Sequence, residues 1–143
     1  VAFDFNKTVL INAPAKDIWG VLTIPALMNQ WMSESPLNII TTWRVGDPFI
    51  ITGVHYNMRF ENKGLVLRFE PYKHLSYTHL SSISALPDVP ESYSVLTFTL
   101  AEQERSTSLT LSITNFPTEA IYKHLAFYWN VTLEKIRMLL EED

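Results

Sequence analysis

The chain contains no cysteine. That absence removes disulfides, thiolate zinc ligands and cysteine nucleophiles together. Charge is also sparse: charged residues fill 18% of the 143 positions, and the 11 lysines and arginines scatter from Lys7 to Arg137 under a net charge of -4. With no basic patch, nucleic acid is not an expected partner. Long apolar runs are lacking as well, so no membrane span is expected. The opening stretch VAFDFNKTVLINAP carries Asp4 and Lys7 and has no signal-like apolar core, which points to a cytoplasmic protein. Neither internal repeats nor a linker breaks the chain. What is plentiful is apolar surface, 47% of residues, enough for one globular domain over residues 1–143 that buries about 70% of its unfolded surface.

Alternation marks the strands. Phe3, Phe5, Val9 and Ile11 are nearly in phase and predict a first strand over Phe3–Ile11. Asn12-Ala13-Pro14 then opens a short helix with Ile18, Trp19, Val21 and Leu22 on its buried side. Thr23-Ile24-Pro25 restarts a second through about Trp31, with Thr23 as its cap. From there the period becomes that of strands: Ile39–Arg44, Pro48–His55, Phe60–Glu70, His74–Leu80, Tyr93–Leu100 and Thr107–Thr114. Gly46 suits a positive φ in the first connection, Tyr56–Arg59 reads as the next turn, and Glu102–Ser106 as the last hairpin.

The final helix is expected over Thr118–Glu141, capped by Thr118. Tyr122, Ala126, Trp129, Leu133, Ile136 and Leu140 form one stripe, and Ile121, Leu125, Tyr128, Thr132 and Leu139 another beside it. An apolar face this broad suits the grip of a curved sheet. On the other side, Ala120, Phe127, Val131 and Met138 form a thinner stripe that fits ordinary exposed apolar residues or a weak homodimer contact.

Several segments carry a family resemblance: INAPAKDIWGVLTIPALMNQW, WRVGDPFIITG, KGLVLRFEPYKHLSYTHLS, LPDVPESYSVLTFTL and STSLTLSITNF, followed by the Trp129-Leu133-Ile136 helix. In order and spacing they resemble the helix-grip (SRPBCC) superfamily of START-related lipid carriers, Bet v 1-like allergens and polyketide cyclases. The nearest likeness is to the small domain related to the C-terminal half of the Hsp90 ATPase activator. Ser106 departs from the Gly usual before Thr107, which bears on the hairpin. The resemblance implies an α+β helix-grip fold: a curved seven-stranded antiparallel sheet wrapped around the long C-terminal helix, with two short helices after the first strand. Because that fold hosts carriers, enzymes and regulators, it does not imply one activity.

Candidate chemistry centres on the fifth expected strand, His74–Leu80. Side chains alternate along a strand, so Leu75, Tyr77 and His79 share one face and His74 takes the other. With Leu75 in the core, Tyr77 and His79 line the interior, either orienting a ligand or, in an enzyme, acting as acid and base. A buried histidine satisfied by its neighbours is the plainer alternative. Phe49, Phe98, Tyr122 and Ala126 complete an expected cavity wall, and His55, Tyr56 and Arg59 an expected mouth. Arg68 and Glu70 share a face and suit a surface pair. No metal-ligand spacing occurs and no cofactor is implied.

Three function classes follow. The first is a non-catalytic module holding a small hydrophobic molecule or lipid between sheet and helix. The second is a cyclase- or hydrolase-like enzyme acting on an aromatic or polyketide-type substrate. The third, implied only by the resemblance, is a regulator of an Hsp90-type chaperone.

Overall fold

The alternating first segment becomes strand β1 (Phe5–Ile11), which turns Phe5, Val9 and Ile11 inward. A computed structural model of the protein describes residues 3–141, so the expected domain bounds 1 and 143 lie outside the described residues. Helices α1 (Ala15–Thr23) and α2 (Pro25–Met32) carry the chain across to the far sheet edge. There β2 (Asn38–Thr41), β3 (Pro48–His55), β4 (Met58–Glu70), β5 (His74–Ser81), β6 (Ser94–Gln103) and β7 (Ser106–Thr114) meander back until β7 pairs with β1. The seven strands lie in the order β1-β7-β6-β5-β4-β3-β2, every pair antiparallel. The long helix α3 (Glu119–Glu141) buries Leu125, Trp129, Thr132, Leu133 and Ile136. This is the expected α+β architecture, and among the described residues no helix is long and apolar enough to cross a membrane.

Local chemistry explains where elements stop. Thr118 caps α3 as expected, its hydroxyl accepting from the Ile121 amide at 3.1 Å. Thr23 does not cap α2. It ends α1, and its hydroxyl donates back to the Trp19 carbonyl at 2.7 Å, leaving Ile24 at the cap position and Pro25 in the first turn. Strand β2 stops at Thr41, short of the expected Arg44, because Trp43 takes φ 58°. The hydroxyls of Thr41 and Thr42 then capture the amides of Trp43 and Arg44. The β3–β4 turn is tighter than Tyr56–Arg59: only Tyr56 and Asn57 form it, with φ 51° and 63°, the twist that two-residue hairpins favour. In the β6–β7 hairpin the positive φ falls on Glu104, while Ser106 sits in β7 opposite Gln103. Nothing there requires a glycine at 106.

One long-range contact replaces a missing cap. Pro14 offers α1 no side-chain acceptor, and the Ala15 amide instead donates to Glu102 Oε1 on β6 at 2.6 Å. A carboxylate at a helix N-terminus is favourable both as acceptor and as counter-charge. Glu102→Ala should lower stability by about 1 kcal/mol in urea denaturation, and Glu102→Gln should recover most of it by keeping the acceptor.

Aromatic rings hold the closed end of the molecule. Trp19 meets Phe69 edge-on at 5.2 Å, and Trp43 bridges Phe69 and Phe49 at 5.6 and 4.9 Å. Both indole N–H groups nearby are satisfied, Trp31 by the Val21 carbonyl and Trp43 by the Thr23 carbonyl. The solid core therefore occupies the α1–α2 end of the sheet. The space it leaves lies at the other end.

Candidate functional site

Between the inner sheet face and the first half of α3 lies a cavity of about 850 Å³. Phe49, Ile51, Tyr77 and Leu96 form its sheet wall, and Ile121 and Leu125 its helix wall. Its rim is built from the segment after α2, the β3–β4 hairpin with His55 and Tyr56, and the β5–β6 loop with Ile83 and Leu86. The size and apolar lining match small-molecule sites, which add only a few polar anchors.

Those anchors come from strand parity. Tyr77 pairs with Val66 and Leu96, and His79 with Ser94, all on the inner face. Asn62 stands opposite Ile51 and Ser81 on that same face. His79 is half-buried and lines the cavity. Burial, with the nearby His124 as a second cause, pushes its pKa down to about 4, so the ring is neutral near pH 7. Burial likewise raises the Tyr77 phenol well above its ordinary value, with Tyr128 adding to the shift. Asn62 carries the clearest signal: its amide oxygen is buried without a hydrogen-bond partner. Such atoms are rare in native proteins because each costs about 1–3 kcal/mol. Sequence reasoning passed over Asn62, whose setting FENKG reads as surface; only its register opposite Ile51 places it inside.

The other expected site residues are divided. Phe49, Tyr77 and His79 line the cavity, and His55 and Tyr56 stand at its rim. Phe98 does not line it. It is 1% exposed, one rung deeper, paired with Leu75 and Leu111. Tyr122 is turned toward Phe3 and Phe116, with both ring centroids 5.0 Å away. Ala126 packs against the core cluster. Arg59 lies in a separate open groove beside β2, because the two-residue turn points it away from His55. Trp129 is 3% exposed yet also reaches the cavity wall, with Trp31 and Phe98 behind it at 5.7 and 5.5 Å. Arg68 and Glu70 pair with each other along exposed β4. Phe127, Val131 and Met138 face solvent on α3.

The β5–β6 loop is fastened over the rim by polar contacts. Asp88 accepts from Lys63 at 2.6 Å and from the Tyr93 hydroxyl at 2.5 Å. The Glu61 amide donates to Ser82 Oγ at 2.8 Å, and Asn115 Nδ2 to the Tyr93 carbonyl at 2.7 Å. At the other rim the Tyr128 hydroxyl donates to the Met32 carbonyl at 2.9 Å, tying α3 to the end of α2.

Residues 12–141 match the model of the family described as activator of Hsp90 ATPase homolog 1-like protein. A search of curated proteins finds no match. Among solved structures, a protein of Cytophaga hutchinsonii is 29% identical, with 97% of this chain and 94% of that chain covered and a TM-score of 0.81. One of Mesorhizobium loti is 26% identical over 99% of each chain, with a TM-score of 0.79. The Aha1 dimer of Colwellia psychrerythraea is 21% identical and covers 98% of this chain and 97% of that chain, with a TM-score of 0.75. At that last identity the likeness speaks for the fold alone.

Proposed function

The chain belongs to the activator of Hsp90 ATPase homolog 1-like family, and on that premise we propose that it binds a small hydrophobic or amphipathic molecule between its sheet and α3. The observation that carries this reading is the cavity itself: about 850 Å³ of mostly apolar space with His79, Tyr77 and Asn62 on one wall. Apolar walls supply affinity by removing ligand surface from water, and the few polar groups fix its orientation.

An enzyme reading, cyclase- or hydrolase-like, needs a group that moves a proton at working pH. Burial that holds His79 near a pKa of 4 makes it a weak base there and suits it to hydrogen bonding. Among the described residues lining the cavity the carboxylate is Glu34, exposed at the rim. These features favour binding over turnover.

Freshly purified protein examined by native mass spectrometry should carry a bound small molecule or take one up from a library of apolar compounds. Ile121→Trp, which places an indole in the cavity, should abolish that uptake while the far-ultraviolet circular dichroism stays unchanged. Uptake undiminished in Ile121→Trp, or none in the wild type, would refute the reading.

A further inference from the structure

We infer that the cavity selects an uncharged occupant whose inner end forms hydrogen bonds, such as a phenol, alcohol or amide, and discriminates against a carboxylate of the same shape. The inference rests on the binding reading above and specifies its chemistry. A buried anion needs a cation or several aligned donors, since an unpaired charge in apolar surroundings is far costlier than an unpaired amide. No free cation lies on the inner wall among the described residues. The Lys63 ammonium is held by Asp88 at 2.6 Å, and Lys135 is an exposed rim residue. Arg59 belongs to the separate groove.

What the inner wall offers is neutral. The Tyr77 hydroxyl, the His79 ring and the Asn62 amide sit on adjoining inward positions of β4 and β5. The unpartnered Asn62 oxygen calls for a donor, which a hydroxyl or amide N–H supplies and a carboxylate does not. Holding a buried amide unpaired costs stability, and replacing it by a leucine of similar size removes that cost. Asn62 is therefore a residue whose presence is explained by an occupant better than by the fold.

The test titrates the intact chain at neutral pH with 2-naphthol, 2-naphthamide and 2-naphthoate, which share one ring system, following ligand fluorescence. The naphthol and the amide should bind at least about tenfold more tightly than the carboxylate, a difference of about 1.4 kcal/mol. Asn62→Leu should weaken 2-naphthol binding about fivefold or more while its own melting temperature stays level or rises. Equal or tighter binding of 2-naphthoate overturns the selectivity, and its loss in Lys135→Ala would assign the site to a rim cation instead. A lowered melting temperature in Asn62→Leu with unchanged 2-naphthol affinity would make Asn62 a structural residue and overturn its role. Silence from all three probes, with 1-decanol leaving the protein's own tryptophan fluorescence unchanged, would defeat the binding reading beneath the inference.

Discussion

Gly64→Ala should cost the protein about 3 kcal/mol or more, enough to threaten folding in a molecule whose total stability is of order 5–15 kcal/mol. A Cβ placed on Gly64 would fall 1.7 Å from the Thr78 carbonyl oxygen and 2.4 Å from its carbon. These are backbone atoms and cannot rotate away. The close approach has a local cause. The β4–β5 ladder pairs Lys63 with Leu80 and Val66 with Tyr77, and between them the Thr78 hydroxyl takes the Leu65 amide at 2.8 Å. A bulge follows between Val66 and Arg68, adding twist where the sheet turns toward α3. Thermal denaturation followed by circular dichroism should show the melting temperature of Gly64→Ala falling by about 10 °C or more, or no cooperative transition. A change of only a few degrees would mean that β5 can shift freely, and the placement of His79 would lose its support.

Acid should remove a second large share of stability, through His79. Its pKa is about 4 in the folded protein, against 6.5 for the exposed side chain. Between those values the unfolded chain binds the proton and the folded one does not, so stability falls as pH drops from about 6.5 to 4 and levels off below. The gap corresponds to at most roughly 3 kcal/mol. Glu70 and Asp88 are shifted the opposite way, held low chiefly by Arg68 and Lys63. Their contribution is present above the ordinary carboxylate range and is lost beneath it, below the histidine window. Urea denaturation across this range should therefore show a loss between pH 6.5 and 4 that His79→Gln flattens. Wild type and His79→Gln with parallel profiles would show that His79 is not buried neutral. The His79 ring should also titrate near pH 4 by NMR.

Strand parity makes much of the inner face legible in the sequence. It separates His79 from His74 and puts Tyr77 and His79 on one face, where they line the cavity with Phe49. Parity gives the face but not the distance along it. Phe98 is in phase with these residues, yet it lies one rung toward the solid end, against Leu75 and Leu111. On α3 the periodicity grouped Tyr122 with Trp129, but the ring stacks on Phe3, a contact 119 positions away in sequence that no local pattern reveals. Asn62 was missed for a related reason, since a polar residue between Glu61 and Lys63 looks solvated until its partners across the sheet are known. Thr23 shows the competition at helix ends, where one hydroxyl can cap the next helix or bond back to its own. The backbone chose the second.

Amide chemical-shift mapping with 2-naphthol locates an occupant of the space beside His79 directly. Saturable shifts should gather on Ile51, Asn62, Tyr77, His79, Ile121 and Leu125, and should vanish in Ile121→Trp. Shifts confined to the exposed face of α3 around Phe127, Val131 and Met138, or none at saturating probe, would contradict binding in that space.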